Sequence, residues 1–273
     1  MPVEVRALFL TGLPEGRIWV RAGAGIEWDR LVSDCVEKGW GGLENLSGIP
    51  GCVGASPVQN VGAYGVEAKD CIQNVEVLDR ETLETAVIPA SECRFGYRQS
   101  RFKGEWKERY VVTHVQFLLQ SAPQFKLEYG ALKEKVAALG GPSLKNVRQA
   151  VLEIRGSKLP DPALLGNAGS FFVNPEVNAE KAASLKRDWP DMPAWPLEDG
   201  RVKISAAWMI DRCGWKGRRT GACGVYEKQA LVLVNYGEAR GSDVMALYQA
   251  IAQDVERVFG VSLKAEVILV KGE

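Results

Sequence analysis

The residues of this chain most suited to binding chemistry are crowded into Leu43–Glu67, L-E-N-L-S-G-I-P-G-C-V-G-A-S-P-V-Q-N-V-G-A-Y-G-V-E. Glycines stand at 48, 51, 54, 62 and 65, interleaved with Ser47, Ser56, Gln59 and Asn60. Glycine lacks a Cβ, so its backbone can take φ > 0 and approach another surface closely. No apolar run in the stretch is long enough for an ordinary buried strand or helix. Long loops in compact proteins are usually functional or disordered. The apolar residues spaced between the glycines (Leu43, Leu46, Ile49, Val53, Val58, Val61 and Tyr64) argue against disorder. The stretch reads as a wrapped binding loop, and its free backbone N–H groups suit anionic or heteroaromatic ligands.

Other chemistries find few residues to work with. His114 is the only histidine, and it alternates with apolar neighbours over Val111–Leu119, so it reads as a strand residue rather than part of a triad or metal cluster. The cysteines at 35, 52, 71, 93, 213 and 223 form no C-x-x-C pair and show no metal-ligand spacing, so they read as reduced packing residues and no metal is expected. Lys+Arg 34 and Asp+Glu 34 cancel, which leaves no basic stripe for nucleic acid. No apolar segment approaches a membrane span, and the opening Met-Pro-Val-Glu-Val-Arg lacks the regions of a signal peptide. A cytoplasmic protein without membrane insertion is the default expectation.

The 273 residues suffice for two domains, and short strands mixed with helices suggest an α+β architecture. Arg17–Ala22 reads as a strand. Gly23-Ala-Gly25 follows, then a helix with Trp28, Leu31, Val32, Cys35 and Val36 on one face and Gly39 as its stop. Strand, Gly-x-Gly, helix invites a dinucleotide-fold reading, but Trp28 stands where the third glycine belongs, so a tight turn feeding a packed helix is the better reading. Asn74–Asp79, Glu84–Ile88 and Val111–Leu119 are strands, the first two joined by a turn at Arg80–Thr82. Ser143 can cap a helix with Val147, Val151 and Ile154 inward, and Lys158-Leu-Pro-Asp-Pro162 ends it. The boundary is therefore set at 158, giving domains 1–158 and 159–273. Beyond it, 166–175 is a loop of glycine and aromatics, Asn178–Arg187 a helix, and Asp188–Pro196 a rigid proline-rich loop. Ile204–Cys213 is a helix and Gln229–Asn235 a buried strand. A long helix capped by Ser242 and Gly260 follows, and Ala265–Val270 is a final strand.

The motifs carry a resemblance. S-G-I-P-G-x-V-G-A-x-P-V-Q-N-x-G-A-Y-G-x-E resembles the flavin-binding signature of the UDP-N-acetylenolpyruvoylglucosamine reductase (UDP-N-acetylmuramate dehydrogenase) family. F-G-Y-R-Q-S-R-F-K (95–103), R-G-S-K-L-P-D-P-x-x-x-G-N-A-G-S-F-F-V-N-P (155–175), K-I-S-A-A-W-M-I-D, Q-A-L-V-L-V-N and A-E-V-I-L resemble further family segments in the same order. The resemblance covers roughly residues 18 to 270. It implies the second lobe of an FAD-binding domain of the vanillyl-alcohol-oxidase/PCMH type, followed by an α+β substrate-binding domain. It also implies an oxidoreductase of peptidoglycan precursor synthesis. NADPH reduces FAD, a hydride passes to the enolpyruvyl double bond of the UDP-sugar, and an acid protonates the adjacent carbon to give UDP-N-acetylmuramate.

Site residues carry over motif by motif. Arg98 matches the family arginine that stabilises the developing enolate, Glu266 its carboxyl partner and Ser170 the residue that delivers the proton, and the three are expected to converge on one cleft between the domains. The flavin contacts implied are Ser47, Gly48, Ile49, Pro50, Gly54, Ala55, Ser56, Gln59, Asn60, Gly62, Ala63 and Tyr64. Tyr129, Lys158, Asn174 and Gln229 match substrate contacts. Taken singly these are ordinary residues: an arginine after tyrosine is usually a surface ion pair, a serine after glycine a turn residue, a glutamate in a terminal strand a solvated charge. Three departures fall near the substrate lobe: Val173 for the usual lysine, Tyr226 for histidine and Ile268 for arginine. Family members also begin with a separate lobe whose G-G-G-S-N loop holds the flavin pyrophosphate through backbone N–H groups. No G-G-G-S-N occurs in this sequence. The expectation is a chain truncated at its start, or one that has lost that lobe. It would be purified largely without FAD and would self-associate where the full-length family is monomeric. A truncated or non-catalytic UDP-sugar-binding remnant is the alternative to an active reductase.

Overall fold

Period-two alternation builds the first sheet. The computed structural model describes residues 5–8 and 15–270, and the chain forms two units, Met1–Arg155 and Gly156–Glu273. In the first, β1 (Val5–Leu8), β2 (Arg17–Gly23), β5 (Ile72–Asp79), β6 (Thr85–Pro89) and β7 (Tyr110–Gln120) make an antiparallel sheet in the order β1-β2-β7-β5-β6. Val20 and Ala22, Val75 and Val77, and Val115, Phe117 and Leu119 face inward. They join the five expected inward residues of α1 (Trp28–Glu37), and Trp28 meets Phe117 edge-on. Because every pairing in this sheet is antiparallel, Gly23-Ala-Gly25 is the turn before a packed helix, closed by Ile26 N–H on Gly23 O at 3.1 Å, and no dinucleotide-fold crossover follows it.

The opposite face of the sheet carries charge. Arg21 forks onto Glu76 with both nitrogens at 2.6 Å, Gln116 donates to the same carboxylate at 2.7 Å, and His114 Nδ1 lies 3.4 Å from it. His114 is a strand residue of this network, as its alternation predicts. Between β2 and β5 the glycine-rich stretch winds through two short 3₁₀ turns and a small hairpin of β3 (Gly62–Ala63) and β4 (Val66–Glu67), and a third 3₁₀ turn follows at Ala68–Asp70. After β7 come α2 (Leu132–Ala138), which carries no sequence signal strong enough to predict it, and α3 (Leu144–Lys158). Ser143 caps α3 by accepting Asn146 N–H at 3.1 Å. The two helices share a small core of Leu132, Val136, Val147, Ala150, Val151 and Ile154. α3 ends at Lys158, just before Pro160.

The second unit holds β8 (Gly166–Ser170), β9 (Phe172–Val173), β10 (Glu176–Val177), α4 (Ala179–Asp188), β11 (Ala194–Pro196), β12 (Val202–Ile204) and α5 (Ala206–Arg212). These are followed by β13 (Arg219–Thr220), β14 (Cys223–Val225), β15 (Val232–Asn235), α6 (Gly241–Phe259) and β16 (Lys264–Ala265). Its sheets run β13-β14-β15-β8, β10-β12-β11 and β16-β9. Phe171, Phe172, Met209, Ile210, Ile251 and Phe259 belong to its core. All six cysteines are free. No helix among the described residues is long and apolar enough to cross a membrane.

Four expectations need correction. Residues 166–170 form a strand, because the neighbouring β15 supplies the partner that their small side chains give no hint of. The final strand stops at Ala265: its partner β9 is two residues long, and Ser170 beyond it is already paired with Val232 of β15. Ser242 does not cap α6. The Asp243 carboxylate accepts Arg240 N–H at 2.8 Å, which makes Arg240 the cap and sets the start two residues earlier. Ile204 closes β12, and the cap of α5 is Ser205, whose Oγ accepts Trp208 N–H. Gly260 does end α6 in the left-handed conformation, as predicted.

Candidate functional site

Most polar side chains of the glycine-rich loop turn inward. Ser47 and Ser56 are buried, and each donates to a carbonyl three residues back, Glu44 O at 2.6 Å and Val53 O at 2.7 Å. Gly54 N–H donates to Ala24 O at 2.9 Å, and a Cβ on Gly54 would stand 2.7 Å from that of Ala24, so only glycine allows the two loops to touch. Ile49, Val58, Val61 and Ala63 pack on the core, and Gln59 is half-buried. What the loop leaves exposed is chiefly Pro50, Gly51, Cys52, Ala55 and Gly65.

Asn60 is fully buried, and both its amide donors are committed: to Glu67 Oε2 at 3.0 Å and Gly96 O at 2.9 Å, while Oδ1 accepts Lys69 N–H. It holds the loop together and has no donor left for a ligand. Ser100 Oγ donates to Val58 O at 2.5 Å, and Arg98 Nη2 donates to Gly62 O at 2.6 Å. Side chains thus tie residues 58, 60 and 62 to the F-G-Y-R-Q-S segment. Five non-glycine residues among the described ones have positive φ, and three of them are Asn60 (47°), Tyr64 (49°) and Arg98 (55°). Such outliers gather where surroundings over-determine the backbone, often at functional sites.

A second set of anchors escaped the sequence reading. Asp29 accepts Gly48 N–H at 2.6 Å and a fork from Arg148 at 2.6 and 2.8 Å. The Arg148 guanidinium, outweighing burial, holds the Asp29 carboxyl below its ordinary range. Arg155, from the R-G-S-K motif, donates Nε to Gly48 O at 3.1 Å, and burial lowers its pKa. Asn45 spans Tyr64 O and Lys126 O, while the Tyr64 ring meets Tyr129 edge-on at 6.0 Å. Tyr129 stays about half exposed and Lys158 exposed. Nothing in the spacing of Asp29 or Arg148 marks their pairing across 119 residues; only the inclusion of Asn45 and Arg155 in quoted motifs hints at a role.

In the second unit, short main-chain pairings link segments that carry the predicted residues. Ser170 pairs with Val232, Phe171 N–H donates to Leu231 O at 2.7 Å, and Glu266 N–H donates to Phe171 O at 2.8 Å. Glu266 is thereby bonded to the residue next to Ser170, 95 positions away in sequence. Gln229 lies in the turn before β15, where its carbonyl accepts Val232 N–H, and Asn174 Oδ1 accepts Ala206 N–H at 2.9 Å at the start of α5. All four predicted residues are half-buried. Of the departures, Val173 is paired with Lys264, Tyr226 N–H donates to Val232 O, and Ile268 is exposed.

Comparison with known proteins follows the same division. Residues 161–270 match the family described as UDP-N-acetylenolpyruvoylglucosamine reductase, C-terminal domain, and residues 12–83 match an FAD binding domain. The UDP-N-acetylenolpyruvoylglucosamine reductase of Alcanivorax borkumensis is 47% identical over 92% of this chain and 73% of its own length. That of Chromobacterium violaceum is 50% identical over 92% and 74%, and that of Pseudomonas aeruginosa 45% over 96% and 80%. A crystal structure of the Thermus caldophilus reductase superposes with a TM-score of 0.62 at 26% identity, covering 90% of this chain and 70% of that one. With identities near one half over almost the whole chain, the protein belongs to the UDP-N-acetylenolpyruvoylglucosamine reductase family.

Proposed function

We infer that this chain reduces the enolpyruvyl double bond of UDP-N-acetylenolpyruvoylglucosamine to give UDP-N-acetylmuramate, with FAD as carrier and NADPH as reductant. Identity of 47% over 92% of the chain supports the reaction. The loop suits a flavin dinucleotide on a structural ground. Its polar side chains are spent on its own backbone, so its exposed surface at Gly51, Cys52, Ala55 and Gly65 is peptide groups with little side-chain bulk. Bound FAD supplies hydride, taken from NADPH. NADPH and a nucleotide sugar as substrates favour the cytoplasm.

The observation that carries the assignment of residues is the Glu266-to-Phe171 bond, which ties a terminal glutamate to the Ser170 motif. Arg98 is assigned the enolate: its backbone φ of 55° and its bond to Gly62 O limit how far the guanidinium can wander, and a positive group fixed in advance stabilises charge as it develops. Ser170 delivers the proton. A serine hydroxyl is a poor acid in water, so it serves only beside a strongly basic intermediate. Glu266 is the carboxyl partner, and Tyr129, Lys158, Asn174 and Gln229 hold the UDP-sugar. Two half-reactions followed anaerobically test this. Arg98→Ala is expected to leave flavin reduction by NADPH intact and to slow product formation by about 10²–10³-fold. Unaltered protein that turns over no enolpyruvyl substrate, or an Arg98→Ala variant with normal turnover, contradicts it.

A further inference from the structure

The F-G-Y-R-Q-S-R-F-K segment holds its arginine in an unusual backbone. Gly96 N–H donates to Gln99 O at 3.0 Å, and Gln99 N–H donates to Gly96 O at 3.2 Å, so residues 96–99 close a tight turn. Arg98 is the second residue across that turn, at φ 55°. A Cβ in this conformation crowds the neighbouring carbonyl, and glycine or asparagine is the usual occupant. Another residue stays there only where its surroundings over-determine it. The guanidinium end of Arg98 is held at Gly62: Nη2 donates to Gly62 O at 2.6 Å, and a Cβ on Gly62 would stand 2.9 Å from Nη1. The backbone end is held by Lys103, whose Nζ donates to Arg98 O at 3.2 Å.

Lys103 is mounted firmly enough to act as a brace. On one side Phe102 is buried and meets buried Trp106 edge-on at 5.1 Å. Lys103 N–H donates to Ser100 O and Gly104 N–H to Arg101 O, and Ser100 is itself buried and bonded to Val58 O. The neighbouring cations Arg101 and Arg109 are spent on Glu105 and Asp79. Lys103 is half-buried and makes no ion pair among the described residues, so its charge is directed at a carbonyl of the strained turn. A charged donor makes that bond roughly twice as strong as a neutral one. We propose that Lys103 is a positioning residue for the reduction: it locks the 96–99 turn and so aims the Arg98 guanidinium, without itself touching substrate. This proposal rests on the enolate role given to Arg98 above. With the bond gone, the backbone at 98 can relax to negative φ and redirect its Cα–Cβ bond. Stabilisation of a developing charge depends on a group fixed in advance, and a misplacement of about 1 Å can cost about a hundredfold in rate.

A double-mutant cycle on the full chain loaded with FAD tests this, with the two half-reactions followed separately in unaltered protein, Lys103→Met, Arg98→Ala and the double variant. Lys103→Met should lower kcat for the enolpyruvyl substrate by about 10–100-fold, with KM within about threefold and flavin reduction by NADPH unchanged. The double variant should be no slower than Arg98→Ala alone, because a residue that acts through Arg98 has nothing to act on once Arg98 is gone. A raised KM in Lys103→Met, with a loss that adds to that of Arg98→Ala, gives Lys103 a grip on substrate and overturns the proposal. Equal losses in both half-reactions mark a structural role and also overturn it. Normal kcat in Lys103→Met beside a slow Arg98→Ala overturns it and leaves the reading of Arg98 standing. Normal turnover in Arg98→Ala overturns both. A second readout needs neither flavin nor substrate. The Arg98 Nε–H signal in nitrogen-correlated NMR, assigned by its loss in Arg98→Lys, should be sharp in unaltered protein and broadened in Lys103→Met; the same line shape in both overturns the proposal. Should Lys103→Met fail to fold, Lys103→Gln, uncharged and one atom shorter, carries both comparisons.

Discussion

The two units spend their motif residues differently. In the first, Ser47, Ser56, Asn60 and Ser100 are buried and bond to their own chain, and what the glycine-rich loop leaves exposed is chiefly backbone and small side chains. In the second, Ser170, Asn174, Gln229 and Glu266 sit half-buried at the ends of two- to five-residue strands, positioned by main-chain bonds rather than by their own side chains alone. A motif is therefore not one kind of signal. Polar motif residues of the first unit serve architecture, whereas those of the second are assigned to chemistry in the function proposed above, and the difference should appear when each is removed.

The largest effect is expected in the second unit. Ser170→Ala should lower turnover of the enolpyruvyl substrate by about 10²–10⁴-fold, the usual consequence of losing a general acid. Flavin reduction by NADPH should stay near normal and stability should change by less than about 1 kcal/mol. Equal losses in both half-reactions would mean that Ser170 acts on folding or flavin binding, and the contrast between the units would fail.

Next comes Asn60→Ala. It strips partners from Gly96 O, Lys69 N–H and the Glu67 carboxylate, and it places alanine at φ 47°. Together these should cost about 2–4 kcal/mol in denaturant unfolding and weaken flavin binding, with turnover per bound flavin much less affected. Asn60→Gly sharpens the test: it keeps the backbone conformation and loses only the hydrogen bonds, so it should lie between the two. An Asn60→Ala protein of normal stability that binds flavin but cannot turn over would return Asn60 to the ligand.

What could be read from sequence follows the same physics. Strands and helices with strong periodicity were legible: the five inward residues of α1 and the alternation of β7 are as expected, because a half-buried face imposes its period directly. The roles proposed for Arg98, Ser170 and Glu266 rest on motif resemblance, since no local pattern marks them. The strand character of Gly166–Ser170 was not, since it is conferred by a partner more than sixty residues later. Nor was the inward turn of Asn60: sequence marks the residue, but whether an amide faces a ligand or its own chain depends on Gly96 and Glu67 arriving beside it. The Asp29–Arg148 anchor is the extreme case, two ordinary charges on two helices with no local signal.

That anchor gives the smallest effect and a test in pH. Arg148 forks onto Asp29 and Gly48 N–H bonds to it, so the carboxyl is held below its ordinary value of 3.8 despite the opposing cost of burial. A carboxylate whose folded pKa is depressed contributes stability that is fully present above its unfolded pKa and is lost as pH falls through the folded one. The contribution should thus be constant at neutral pH and disappear below about pH 4. Asp29→Asn removes it at every pH; with the pair partly exposed, the neutral-pH loss should be about 1–2 kcal/mol. Denaturant midpoints measured from pH 7 downward should show the two proteins separated at neutrality and converging in acid, with flavin released from the Gly48 end of the loop as they converge. Asp254 in the second unit is also held low by Arg257, but that arginine is largely exposed, so Asp254→Asn should shift the curve less. Curves for Asp29→Asn and unaltered protein that stay parallel into acid would show that the Arg148 fork adds nothing to the loop, and that the first unit holds its ligand surface by the Asn60 cluster alone.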